Sequence, residues 1–298
     1  MTTFTIGIIT CNRPEQLAAT LRSVAALNIP QDAEVKLLVI DNDPDGSAQG
    51  PTQAAQATMP FAVQYAQEQK RGIPQARNKV LELAAERDYI AFIDDDDLAD
   101  PRWLAALIAT AREYKADVVK GAVLYKFRAG DEHLSVLDIF AQPPGNTGDA
   151  LDSAWTNNVL FSTRLPREMG LRFDPAFTKS GGSDHHFFRQ AYHKGARMVL
   201  CREAVVYSTV PAERTSFGWL ARRHARIGAT LTMSDIRIYG FAEASRRANR
   251  AVTDSLRYFR QISPNLKDPK RRMHPIMVLC FMGGRMMGLA NLSPREYA

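Results

Sequence analysis

Short apolar runs alternate with amphipathic stretches through the first half of the chain. Residues 4–10 (FTIGIIT), 35–40 (VKLLVI), 61–66 (FAVQYA) and 89–94 (YIAFID) have the length and composition of buried strands. Between them, 14–27 (PEQLAATLRSVAAL) and 74–86 (PQARNKVLELAAE) carry apolar residues at helical spacing. Each opens on Pro, which suits the first helical turn. A third helix is predicted over 100–114, with Asp100 as N-cap and Pro101 at its first turn. Strand–helix alternation of this kind predicts an α/β fold, a mostly parallel, Rossmann-like sheet with helices on both faces. Further on, GGSDHHFFRQAYHKG (181–195) reads as a helix capped by Ser183 and ended by Gly195. A basic helical stretch follows at 216–231, then an apolar run at 273–290 broken by Gly283, Gly284 and Arg285.

Polar residues gather where the strands end: TCNR (10–13), DNDPDG (41–46) and DDDD (94–97). In parallel sheets, ligands bind beyond the carboxyl ends of the strands. Two carboxylates about 5 Å apart repel by about 3 kcal/mol at an effective dielectric near 20, so Asp94–Asp97 needs a cation nearby. A solvated turn is the plain alternative. There is no GxGxxG after the first strand and no GxxxxGK[ST] anywhere, which disfavours a dinucleotide fold and excludes a P-loop. A diphosphate would then be held through Mn²⁺ or Mg²⁺, ions that take one or two carboxylates plus phosphate oxygens. On an extended segment Asp94 and Asp96 face one way, and Asp95 and Asp97 the other.

Composition adds a compartment and a partner. The 298 residues are 45% hydrophobic and 23% charged, as in ordinary soluble domains. Cys11, Cys201 and Cys280 show no paired spacing, which fits a reducing cytoplasm and argues against a disulfide framework or zinc finger. The first residues read as a strand rather than a signal peptide. The net charge of +6 is uneven: residues 213–298 hold 16 Lys and Arg against 6 Asp and Glu, a balance of +10, which leaves −4 for residues 1–212. A basic C-terminal region implies an anionic partner or a solvated helix face.

These stretches, in this order, resemble the inverting family-2 glycosyltransferases of the GT-A fold. The resemblance runs over about residues 4–230, through TIGIITCNRPEQLAATLRSV, VKLLVIDNDPDGS, RGIPQARNKVLELA, YIAFIDDDDLADPRWL and SGGSDHHFFRQAYHKGA. SGGSDHHFF followed by VPAERTSFGWLARRHARIG is similar to glycosyltransferases of bacterial exopolysaccharide clusters, including succinoglycan glucosyltransferases. The resemblance implies that Thr10 and Asp41 meet the base, with Asp41 accepting from a uracil-type N3–H. It implies that Arg13 and Arg77 lie near the nucleotide and its phosphates. It makes Asp96 the metal carboxylate together with Asp94, places Asp94 and Asp95 at the ribose and the metal's water shell, and makes Asp184 the catalytic base. The chain departs from the family pattern at Ser183, where a Glu often stands, and at Tyr207, where related sequences tend to carry His.

Other candidates carry two accounts each. Asp184 in a first helical turn suits the helix dipole, and the same position keeps a base ionised. His185 and His186 point about 100° apart on a helix, so they do not pair on one ion; His185 is an acceptor candidate or a packed side chain. Trp155 with Asn157 and Asn158 fits stacking and hydrogen bonding to an acceptor sugar, and equally a half-buried strand aromatic. Arg222, Arg223 and Arg226 suit a diphosphate or anionic lipid. The 273–290 run is shorter than the ~20 residues needed to span a bilayer, so it lies on the membrane or packs on the domain.

The expectation is therefore a metal-dependent inverting hexosyltransferase. A GT-A domain occupies residues 1–212, with a nucleotide-sugar half at about 1–127 and an acceptor half at about 128–212. A helical, membrane-associating region occupies 213–298. Its donor is a nucleotide sugar (a UDP-hexose), and its acceptor is a glycan or polyprenyl-diphosphate-linked oligosaccharide at the inner face of the plasma membrane. Two rivals are a nucleotidylyltransferase on a related fold, which wants a glycine-rich loop that TCNRPEQ lacks, and a non-catalytic basic protein binding membrane or nucleic acid; the ordered acidic set argues against the latter, so no nucleic-acid partner is expected.

Overall fold

A computed structural model describes residues 1–268 and 271–294. The chain divides into two compact units. The first comprises residues 1–124, 142–175 and 187–209; the second comprises 125–141, 176–186 and 210–298. The second unit thus takes in two earlier segments besides the C-terminal region.

In chain order, the first unit begins β1 (Thr2–Thr10), α1 (Pro14–Ala25), β2 (Ala33–Asp41), α2 (Gln49–Gln56), β3 (Ala62–Gln67), α3 (Ile73–Leu83) and β4 (Tyr89–Ile93). It continues with β5 (Asp97–Ala99), α4 (Trp103–Glu113), β6 (Val118–Lys126), β7 (Asn158–Ser162) and the single turn α5 (Arg164–Arg167). The helix α6 (Ser183–His193), whose residues 183–186 belong to the second unit, and β8 (Met198–Thr209) follow. The eight strands form one sheet in the order β3-β2-β1-β4-β7-β6-β8-β5.

Only half of that sheet is parallel. β3, β2, β1 and β4 pair in parallel, whereas β4–β7, β6–β7 and β5–β8 are antiparallel. The mostly parallel sheet expected from the first half ends at β4: the later strands pair antiparallel, although α4 still separates β5 from β6 and α6 separates β7 from β8. Antiparallel partners need no crossover.

The core explains why the strands read as unbroken apolar runs. β1 and β2 are central and covered on both faces, so Ile6, Ile8, Leu37, Leu38, Val39 and Ile40 are all 0% exposed. Phe92, Phe161, Phe173, Phe187 and Phe188 join Val80 in one cluster; Phe173 stacks on Phe187 at 4.3 Å. Gly7 gives α3 room on β1, since a Cβ there would meet Val80 Cγ1 at 2.8 Å.

The second unit carries the helices α7 (Phe217–Tyr239), α8 (Phe241–Ile262) and α9 (Met273–Leu289). Leu134, Leu137, Phe140, Val210, Leu220 and Met277 form its apolar centre. The apolar run at 273–290 is not interrupted at its glycines. α9 is continuous because Gly284 lets it approach α7: a Cβ there would fall 1.9 Å from the carbonyl oxygen of Ala225. Arg285 is buried and donates to Asp235 of α7 at 2.9 Å. So this segment packs on its own unit through one face. Among the described residues no helix is long and apolar enough to cross a membrane.

Candidate functional site

The acidic run is a turn, not the extended segment expected from the sequence. The Asp97 N–H donates to the Asp94 carbonyl at 3.3 Å, and the chain enters β5 immediately. Thr20 of α1 sets this shape, with its Oγ1 at 2.9 and 2.8 Å from the carbonyl oxygens of Asp95 and Asp97. Asp95 and Asp97 are buried, while Asp94 and Asp96 are partly exposed. Burial thus alternates along the run, although a turn rather than an extended strand produces it.

Charge in the turn is offset in part by the protein. Thr10, the last residue of β1, donates to Asp95 Oδ2 at 2.7 Å. Arg13 Nη1 lies 3.2 Å from both Asp95 Oδ1 and Asp96 Oδ2. Burial raises the Asp95 carboxyl above its ordinary range, against the pull of Thr10 and Arg13. Burial, then the neighbouring Asp94 charge, drives the Asp97 carboxyl up further. Behind Asp97, on β6, the buried Lys120 ammonium favours its ionised form and donates to the carbonyls of Gly121 and Asn158 at 2.9 and 3.1 Å. Sequence reasoning missed Lys120; a lone Lys in an apolar strand was its signal.

At the end of β2 the loop folds around Asp41. Its carboxylate, 0% exposed, accepts from the N–H groups of Asp43 and Ala48 at 2.9 and 2.8 Å and from the Tyr65 hydroxyl at 3.1 Å. Burial and the Asp41 charge push the Tyr65 phenol up to about 12. A base N–H reaching Asp41 would join or displace these donors. Asp43 is held below its ordinary range, chiefly by a hydrogen bond from Ser47. Asn42 clamps the next connection, donating to the carbonyls of Glu68 and Lys70 at 2.8 and 3.0 Å and accepting from Gly72 N–H at 2.7 Å. α3 then starts at Ile73 and presents Arg77, which is buried with its guanidinium 5.5 Å from the Phe173 ring centre.

β7 runs antiparallel to β4 with Asn158 opposite Ile93, so the chain just before it runs beside the acidic turn. Trp155 is 46% exposed there. Asn157 Oδ1 is buried without a hydrogen-bond partner. Asn158 is not available to a sugar. It accepts from Trp103 Nε1 at 2.7 Å and donates to the carbonyls of Ala122 and Ala204 at 2.7 and 2.8 Å. The helix begun by that tryptophan starts at Trp103 rather than Asp100, although Asp100 Oδ1 still accepts from Arg102 N–H at 3.0 Å.

In the second unit, Asp184 stands in the first turn of α6, after Gly181 and Gly182 with φ of 71° and 87°. Both glycines adopt left-handed backbone that a side chain would strain. Asp184 Oδ1 accepts from the His185 N–H at 2.8 Å. His185 is partly exposed, whereas His186 is buried, with Nδ1 2.9 Å from Ser234 Oγ and its ring against Phe177. Arg222, Arg223 and Arg226, the candidates for a diphosphate or anionic lipid, differ in their surroundings. Arg222 is exposed, Arg223 lies 6.0 Å over the Trp219 ring, and Arg226 is 5% exposed. Positions 222 and 226 are about 40° apart around α7, so the difference in their exposure comes from packing at 226 rather than from helix periodicity.

Among the described residues, no three His, Cys, Asp or Glu side chains converge as a metal-binding group. Asp94 and Asp96 nevertheless supply hard carboxylate oxygens on the less buried side of the turn, which is the donor type Mn²⁺ and Mg²⁺ select when phosphate and water complete the sphere.

The model of the family described as "Glycosyl transferase family 2" matches residues 5–173. The succinoglycan biosynthesis protein ExoM of Rhizobium meliloti (strain 1021) is 36% identical over 233 residues, which cover 76% of this chain and 72% of that protein. Solved structures share the fold. The mannosyltransferase PcManGT from Pyrobaculum calidifontis, in complex with GDP-Man and Mn²⁺, aligns at a TM-score of 0.63 and 17% identity, covering 97% of this chain and 87% of its own. S. aureus TarS 1-349 in complex with UDP-GlcNAc aligns at 0.55 and 15%, covering 98% and 92%. Family and relative together set aside the nucleotidylyltransferase reading, and the neighbours give the sheet the GT-A architecture. The chain belongs to glycosyl transferase family 2 and is a glycosyltransferase.

Proposed function

We propose that this glycosyltransferase moves a hexose from a UDP-sugar to a lipid-linked oligosaccharide or polysaccharide acceptor in exopolysaccharide synthesis, with inversion at the anomeric carbon. The observation that carries the reading is the carboxylate turn at Asp94–Asp96, shaped by Thr20 and tethered by Thr10 and Arg13 at the carboxyl end of β1 and β4. The relative's name supports the pathway class, and the UDP-GlcNAc bound by TarS supports the donor class.

In this reading Asp96 and Asp94 hold Mn²⁺ or Mg²⁺, which when bound stabilises the leaving diphosphate as a Lewis acid. Asp95, fixed by Thr10, orients the ribose. Asp41 and Thr10 meet the base, and Arg77 and Arg13 meet the phosphates. Asp184 takes the acceptor's proton as that oxygen bonds the anomeric carbon and the bond to the diphosphate oxygen breaks. Trp155, Asn157 and His185 meet the acceptor. Transfer belongs to residues 1–212. The basic region from 213 holds the enzyme on the cytoplasmic face of the plasma membrane.

Two variants test it. Asp96→Ala loses Mn²⁺-dependent UDP binding in calorimetry and loses transfer. Asp184→Asn keeps UDP and Mn²⁺ affinity and loses transfer by roughly 10²- to 10⁴-fold, the span of general-base contributions. Near-normal turnover by Asp184→Asn sinks the base assignment, and lost UDP binding in that variant moves Asp184 to the donor.

A further inference from the structure

α8 is strongly amphipathic, yet only Ala244 and Ala248 of it are buried. Arg246, Arg250, Arg257 and Arg260 are all exposed. Their spacing places them within about 80° of one another around the helix, on the side opposite the buried alanines. Arg246 and Arg257 lean on Glu243 and Asp254 of their own helix at 3.2 and 3.1 Å. Among the described residues no carboxylate pairs with Arg250 or Arg260.

α9 has a complementary peculiarity. One face packs on its own unit through Met277, Val278, Gly284, Arg285 and Gly288. The opposite face is also apolar: Leu279, Met286 and Met287 are 43%, 47% and 37% exposed. A helix apolar on both sides thus packs against a helix that carries an outward row of arginines.

We infer that the arginine row of α8 and the outer strip of α9 form the surface that docks on an anionic phospholipid bilayer. The inference rests on the membrane part of the reading above and relocates it from Arg222, Arg223 and Arg226 of α7. Charge complementarity selects the occupant: anionic headgroups meet the arginines, while Leu279, Met286 and Met287 enter the headgroup–acyl boundary, as interfacial amphipathic segments do. A spanning role is excluded for these helices by their length and polarity.

The test is flotation of the full chain with phosphatidylcholine vesicles, with and without phosphatidylglycerol. The protein should float with the anionic vesicles only, and less so as NaCl rises. Arg250→Glu/Arg260→Glu should lower the partition coefficient at least about tenfold. Met286→Glu/Met287→Glu should lower it comparably, while Arg222→Glu changes it by less than about twofold. Calorimetry with UDP and Mn²⁺ on the same variants reports the donor site separately, so loss of docking is distinguishable from failure of the transferase reading. Undiminished flotation of both double variants overturns the proposal. So does flotation with phosphatidylcholine alone, or a change in oligomeric state by light scattering in place of lost flotation, which would make a second copy the occupant.

Discussion

Arg13 is the residue that makes four consecutive aspartates tolerable. Its guanidinium bridges Asp95 and Asp96 from the loop after β1, while Lys120 answers Asp97 from behind. The repulsion that implied a cation is thus met partly by the protein, and a divalent ion adds to this balance rather than creating it. Arg13 is 41% exposed, so its pairing contributes no more than about 1 kcal/mol. Arg13→Ala should lower Tm more in chelator than in Mn²⁺; thermal melts in the two buffers check this, and equal losses would divorce Arg13 from the metal-binding carboxylates. Asn42 acts on geometry instead. Asn42→Ala strands the carbonyls of Glu68 and Lys70 and the Gly72 N–H, at a cost of about 1–3 kcal/mol. Because that clamp leads into Arg77, UDP affinity should fall with stability. Denaturant melts and UDP calorimetry measure both, and unchanged UDP affinity would confine Asn42 to folding.

At the scale of elements, the pairing of α7 with α9 rests on close approach and one buried ion pair. Breaking such a pair by removing one partner leaves an uncompensated buried charge. Arg285→Ala should therefore destabilise the second unit by about 3–5 kcal/mol in denaturant unfolding, and a loss below about 1 kcal/mol would show the site to be hydrated. His224 of α7 adds a pH dependence. It is buried, with Nδ1 2.8 Å from the Leu220 carbonyl, and burial lowers its proton affinity, while Asp138 opposes this and Arg223 and His274 reinforce it. The unfolded chain takes up a proton near pH 6.5 that the folded chain resists. Its contribution to stability is thus complete above that pH and is lost as pH falls through it, with a slope of at most about 1.4 kcal/mol per pH unit. His224→Leu should flatten the stability profile between about pH 7.5 and 5.5; an unchanged slope would assign it to other groups.

For the whole molecule, ligand linkage gives the broadest check. A ligand that binds only the native state stabilises by RT ln(1 + [L]/Kd), about 2.7 kcal/mol at a hundredfold excess over Kd. UDP with Mn²⁺ should raise Tm, and UDP in chelator should raise it less. Equal shifts would remove the metal role from Asp94 and Asp96. The elements that position this site are legible in the sequence. β1, β2, β3 and β4 and the helices after β1 and β3 follow from periodicity and Pro, because a central parallel strand must be apolar on both faces. The clusters at 10–13, 41–46 and 94–97 were legible too, because parallel strands deliver their carboxyl ends to one edge. Three things depended on tertiary contact. The antiparallel half of the sheet was hidden because β6 and β7 are joined by residues 127–157, a stretch with no α-helix to mark how the strands connect. The burial of Lys120, Asn158, Arg226 and Arg285 was hidden because a polar side chain enters a core only where distant residues complete its hydrogen bonds or charge, and local sequence does not name them. The outward arginines of α8 were hidden for the converse reason: an amphipathic pattern gives a helix two faces, and only packing against α7 and α9 decides which one the solvent keeps.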